Sequence, residues 1–92
     1  MYPTYTAVFI KERDGGYSVS VPALKGCHTQ GDSLPEALDM AKEAILAYAD
    51  GERELGKLMP PDVEELTLGV GELTEALVFK VAVPLEEAVA VA

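Results

Sequence analysis

The stretch GCHTQGDSLPEA, Gly26 to Ala37, gathers the sole cysteine, the sole histidine, two glycines and two acids into a short span. It reads either as a reactive or metal-binding cluster or as the point where a strand hands over to a helix. Neighbouring strand residues point to opposite faces, so Cys27 and His28 in GCHTQG cannot converge on one ion or one substrate atom. A thiol–imidazole dyad needs its two groups within hydrogen-bonding reach, and zinc needs three or four ligands. The second half of the stretch reads as a helix start. Ser33 followed by Glu36 forms a capping box, in which the serine hydroxyl accepts from the Glu36 amide and the Glu36 carboxylate returns to the Ser33 amide. Pro35 is tolerated because first-turn amides have no helical partner. Phosphate-binding glycine loops also precede helices, but this segment has neither the Walker lysine nor the dinucleotide spacing. The stretch is therefore architectural: a short strand, a turn at Gly31 and Asp32, and a capped helix.

Downstream, Leu34, Leu38, Ala41, Ile45 and Tyr48 recur at helical spacing and form one apolar stripe, with Glu36, Asp39, Lys42 and Glu43 facing outward. Gly51 or Gly56 is expected to stop the helix. Upstream, TYTAVFIKE alternates Tyr5, Ala7 and Phe9 against Thr6, Val8 and Ile10. Both faces are apolar enough for a strand in the middle of a sheet. RDGG (Arg13 to Gly16) supplies hairpin-turn residues, and YSVSVP follows with Tyr17, Val19 and Val21 inward, Ser18 and Ser20 outward, and Pro22 as terminator.

Beyond the helix, a polar connector punctuated by Pro60–Pro61–Asp62 leads to ALVFKVAVP. There Leu77, Phe79, Val81 and Val83 occupy one face and Val78, Lys80 and Ala82 the other. The order β-β-β-α-β defines an α+β fold with a mostly antiparallel sheet and one main helix packed on a face. The apolar tail LEEAVAVA is expected either to extend a sheet edge, to touch another subunit or to fray.

The chain has 92 residues, 49% of them hydrophobic, and a formal net charge of −9. This bounds it to a single domain, at a size where pairing with a copy of itself adds core, so a homo-oligomer, dimer or tetramer, is expected. The charge is uneven: residues 1–31 hold three bases against two acids, whereas residues 32–92 hold four bases against fourteen acids. Such a surface repels phosphate backbones and attracts basic partners, so no direct nucleic-acid binding is expected. No apolar run is long enough to span a bilayer, and MYPTYTAVFIKE lacks the order of a signal peptide, which places the chain in the cytoplasm without membrane contact. A single cysteine agrees with a reducing compartment.

The run YTAVFIKERDGGYSVSVPALKGCHTQGDSLPEALDMAKEAILAY (residues 5–48) closely resembles the amino-terminal domain of HicB-type antitoxins. The D-G-G-Y hairpin, the V-P-x-L-x-G-C-x-T-x-G-D segment and the E-A-L-x-x-A-x-E-A-I helix stand in order, and residues 76–84 supply a final strand. The resemblance implies a partial ribonuclease H-like fold and a small, basic HicA-type toxin as partner, a messenger-RNA-cleaving enzyme whose active site the antitoxin covers. Complete HicB antitoxins commonly add a carboxy-terminal DNA-binding module. Only eight residues follow Pro84, none of them basic, so residues 1–92 are expected to form one HicB-like domain without such a module.

Two other readings stand beside this one: an orphan oligomeric protein-binding module of the same family, and a ribonuclease H-like nuclease. The nuclease requires clustered carboxylates on the sheet to hold two metal ions. The strands carry almost no acids, with Glu12 and Asp14 at the hairpin and Asp32 at the helix entrance, so neither enzymatic activity nor a cofactor or metal site is expected. The candidate partner-binding residues are Ser18, Ser20, His28 and Gln30 on the strands and Glu36, Asp39 and Glu43 on the helix.

Overall fold

A computed structural model describes residues 3–66 and 76–84. Four strands and one helix follow in the order β1 (Thr4–Lys11), β2 (Tyr17–Ser20), β3 (His28–Gly31), α1 (Leu34–Glu54) and β4 (Ala76–Ala82). The sheet order is β3-β2-β1-β4 and every neighbouring pair is antiparallel. The expected single α+β domain of β-β-β-α-β order is thus the observed one, with β1 central. The apolar tail expected to pair or fray lies outside the described residues.

The two-residue period of β1 sends Tyr5, Ala7 and Phe9 under α1, where they are buried with Val19, Val21, Val81 and Val83. Thr6 and Val8, on the other face, are buried too. The β1–β2 hairpin turns through Glu12–Gly16. The Glu12 amide donates to the Gly16 carbonyl at 2.7 Å, and Asp14 Oδ1 accepts from the Gly16 amide at 2.9 Å. Gly15 sits at φ 94°, where a side chain would be strained. After β2, the loop through Pro22 folds on itself and drops Leu24 into the core.

Helix α1 begins as its sequence dictates, with one difference. Ser33 is the N-cap and its Oγ accepts from the Glu36 amide at 3.2 Å, but Glu36 Oε2 accepts from the Asp32 amide at 2.9 Å rather than from Ser33. The return contact therefore reaches one residue further back and fastens the turn itself to the first helical turn. The helix runs through Gly51 and stops at Gly56 (φ 70°). There the Lys57 amide reaches the Glu52 carbonyl and the Gly56 amide the Arg53 carbonyl, a Schellman closure.

The face pressed on the sheet is centred on Ala37, Ala41, Ile45 and Ala49, all buried, while Leu34, Leu38 and Tyr48 flank it half-buried. The helix has turned so that small residues meet the sheet, which lets the two layers approach closely. Gly31 makes the same closeness possible at the end of β3: a methyl group there would stand 2.5 Å from the Ala37 nitrogen and 2.7 Å from its Cα. α1 lies mainly over β3 and more lightly over β2 and β4.

The connector after α1 is more than a polar link. Met59 is fully buried in the core, and the Tyr5 hydroxyl donates to the Pro60 carbonyl at 2.5 Å. Among the described residues no helix is long and apolar enough to cross a membrane.

Candidate functional site

The strand register decides where the first four candidate residues lie. Ser18 pairs with Gln30 and Ser20 with His28, and all four alternate against the inward Tyr17, Val19 and Val21, so they share the helix-free face of the sheet. His28 and Gln30 are exposed, and Ser18 and Ser20 are half-buried. The same rows continue across the sheet: His28, Ser20, Val8 and Val78 form one, and Gln30, Ser18, Ile10 and Ala76 the next. This face is polar towards β3 and apolar towards β4.

Glu36, Asp39 and Glu43 form a second surface on the opposite layer. Spaced by three and four residues, they make one exposed stripe along the outer side of α1. Glu36 is partly committed to the Asp32 amide, which leaves Asp39 and Glu43 as the freely presented carboxylates of the set. The seven candidates thus divide between two surfaces separated by the thickness of the domain.

Cys27 and His28 part as strand alternation requires: Cys27 is buried in the core and His28 is exposed. Burial pushes the Cys27 thiol above its ordinary value, away from nucleophilic use. Glu12, Asp14 and Asp32, separate in sequence, come together around a cleft of about 80 Å³ beside Gly16 and Gly31. Among the described residues, however, no three of His, Cys, Asp or Glu are placed to hold a metal ion.

A polar network with little local signature in the sequence lies at the other end of β1. Pairing with β2 ends at Val8↔Ser20, and Asp62 takes the Thr6 amide and hydroxyl, each at 2.8 Å. Lys80 Nζ joins Asp62 Oδ2 and Thr6 Oγ1 at 2.6 Å each. Burial raises the Asp62 carboxyl. The hydrogen bonds from Lys80, Thr6 and the Val63 amide outweigh that effect and hold it below the usual carboxylate value. The only local hint of this role was an aspartate following two prolines.

Fold and surfaces together define a small two-layer scaffold that offers a polar-to-apolar sheet face and an acidic helix stripe for contact. Comparison with known proteins places that scaffold. The family model described as a HicB-like antitoxin of bacterial toxin–antitoxin systems matches residues 5–89, and the chain belongs to this family. A UPF0150 protein of Thermoplasma acidophilum is 46% identical over 65 residues, covering 70% of this chain and 94% of its own. Another from Archaeoglobus fulgidus is 39% identical over 67 residues, covering 71% and 97%. Among solved structures, the amino-terminal domain of the Burkholderia pseudomallei antitoxin HicB superposes with a TM-score of 0.65 at 28% identity, covering 89% of this chain and 99% of that one. A chain from a HicA3–HicB3 toxin–antitoxin complex shares the fold with a TM-score of 0.67 at 19% identity, over the same shares of the two chains.

Proposed function

We propose that this chain is an antitoxin that captures a small, basic, HicA-type toxin and neutralises it by covering the site with which the toxin cleaves messenger RNA. The observation that carries this reading is the antitoxin-family match over residues 5–89. The structure supports it through the exposed carboxylates of Asp39 and Glu43 on α1, in a chain of net charge −9. An enzyme that grips RNA must be cationic, and an acidic surface both attracts it and competes with its substrate. The chain acts here by binding, with no reaction of its own. Ser18, Ser20, His28 and Gln30 supply hydrogen-bonding groups on the second surface.

The test is co-expression with whatever small basic protein the neighbouring reading frame encodes. Rescue of growth and co-purification of the two proteins are expected. Continued toxicity together with failure to co-purify would remove the antitoxin reading and leave an orphan binding module.

A further inference from the structure

The two halves of strand β1 are held by different neighbours. Residues 8–11 pair with Tyr17–Ser20 of β2, which pairs in turn with β3. Two residues further the same register sets Pro22 opposite Thr6, and proline has no N–H to give the ladder, so β2 leaves the sheet there. Residues 4–7 are left to β4 and to the connector, and both grip them at the same place. On one edge Tyr5 pairs with Val81 and Thr6 with Lys80, and the Val83 amide donates to the Pro3 carbonyl at 3.1 Å. From the other side Asp62 takes the Thr6 amide, and the Tyr5 hydroxyl donates to the Pro60 carbonyl. Lys80 ties the two holds together across the strand, because its Nζ stands 2.6 Å from both Asp62 Oδ2 and Thr6 Oγ1.

Burial follows the same division. Towards its start β4 is loosely held: Leu77, Val78 and Phe79 are exposed, with an edge contact of Phe79 on Phe9, whereas Val81 and Val83 are buried in one cluster with Tyr5 and Met59. The burial that anchors β4 is thus the burial that anchors the connector. We propose that residues 4–7, residues 59–63 and β4 form one latch, which opens and closes as a unit while residues 8–11, β2, β3 and α1 stay folded. Release of the connector alone would leave the buried Thr6 amide without an acceptor and Lys80 without its carboxylate; release of β4 alone would uncover Tyr5 and take the cation from Asp62. Each loss removes what the other segment rests on, so the two go together. The opened state bares both edges of residues 4–7. The latch does not rest on the antitoxin reading, and its failure leaves that reading untouched.

Native-state hydrogen exchange of the 92-residue chain, followed residue by residue through a urea series, tests this. The Thr6, Val81 and Val83 amides are expected to share one opening free energy and one urea dependence, both smaller than those of Val8, Ile10 and Ile45. Thr6 and Val8, two positions apart in one strand and facing the same way, thereby report different events. Lys80→Met, which keeps the aliphatic stem and removes the charge-assisted bonds, is expected to speed exchange of Thr6, Val81 and Val83 by one common factor of about ten. Gly51→Ala strengthens the helix outside the latch, where an added methyl group meets nothing within 4 Å. It is expected to slow Val8, Ile10 and Ile45 by about two- to fivefold and to leave the three latch amides unchanged. Should the Lys80 variant not fold, the Gly51 variant decides alone. Thr6 exchanging together with Val8, unequal factors for Thr6 and Val81, or slowing of the latch amides in Gly51→Ala overturns the proposal.

Discussion

Thr6 and Asp62, 56 positions apart, are joined twice: the Thr6 amide donates to one oxygen of the Asp62 carboxylate and the Thr6 hydroxyl to the other, each at 2.8 Å. Thr6 is buried, and β2 has ended before reaching it, so the carboxylate satisfies a donor that the sheet leaves open. The connector is pinned to the central strand at this point.

Asp62→Asn puts an amide NH2 where a carboxylate oxygen accepted from the Thr6 hydroxyl and Lys80, and it is expected to lower stability by about 1–3 kcal/mol at neutral pH, the cost of an unsatisfied buried polar group. The carboxyl is more acidic folded than unfolded. Its stabilisation is therefore complete above the unfolded value of about 3.9 and is lost as pH falls through the lower, folded value. Urea denaturation over a pH series should show wild type and variant converging on acidification. A gap that stays constant down to strong acid would contradict this assignment.

Two glycines, one at the end of β3 and one inside α1, should respond oppositely to alanine. At Gly31 the new methyl group meets the Ala37 backbone at 2.5 Å, so the end of β3 and the start of α1 must separate, at a cost of about 1–3 kcal/mol. At Gly51, inside α1, nothing lies within 4 Å, and alanine should gain roughly 0.5–1 kcal/mol from better helix propensity. Thermal denaturation of the two variants decides the matter.

Met59 and Leu58 are sequence neighbours with opposite fates, fully buried and 57% exposed respectively. Met59→Ala should cost about 2–5 kcal/mol as a core truncation, and Leu58→Ala should stay within about 0.5 kcal/mol of wild type. Equal effects in chemical denaturation would mean that the connector does not close the core.

These three sites also mark how far the sequence could be read. The strand faces of β1 and β2 and the capped start of α1 were legible because each rests on local periodicity or on contacts between residues a few positions apart. The face of α1 was displaced by about one residue, since a hydrophobic stripe draws attention to Leu34 and Leu38, whereas close approach to a sheet favours Ala37 and Ala41. Met59 and Asp62 were illegible: a lone methionine in a polar segment and an aspartate beyond two prolines gain their roles only from a strand more than fifty positions away. The seven contact candidates could be named one by one. That they divide between two surfaces follows from the layering of helix on sheet, which no single segment encodes.

If the chain captures the proposed basic toxin through α1, reversing charge at Asp39 and Glu43 together, to lysine, is expected to weaken that capture by about tenfold at low salt, with a smaller deficit at high salt as the field is screened. Both side chains are exposed, so the melting temperature should change little. Binding isotherms at several ionic strengths measure this; unchanged affinity at low salt would move the interface off the helix.

Cys27 should resist alkylation in the native state. It is 6% exposed and its thiol is shifted upward by burial, so both access and thiolate fraction are low. Iodoacetamide labelling followed by mass spectrometry should track unfolding as urea is added, and fast labelling of the native protein would show that the loop before β3 opens locally.

The position of β1 has a consequence for how the protein is made. This strand is synthesised first and sits in the middle of the sheet, but its β4 neighbour emerges from the ribosome last of the four. A nascent chain can close the hairpin and lay down the helix while one flank of β1 is still bare. A chain that stalls before β4 has emerged would expose three strands with one edge of β1 bare, so the sheet closes over its first-made strand only after the helix and connector have been made.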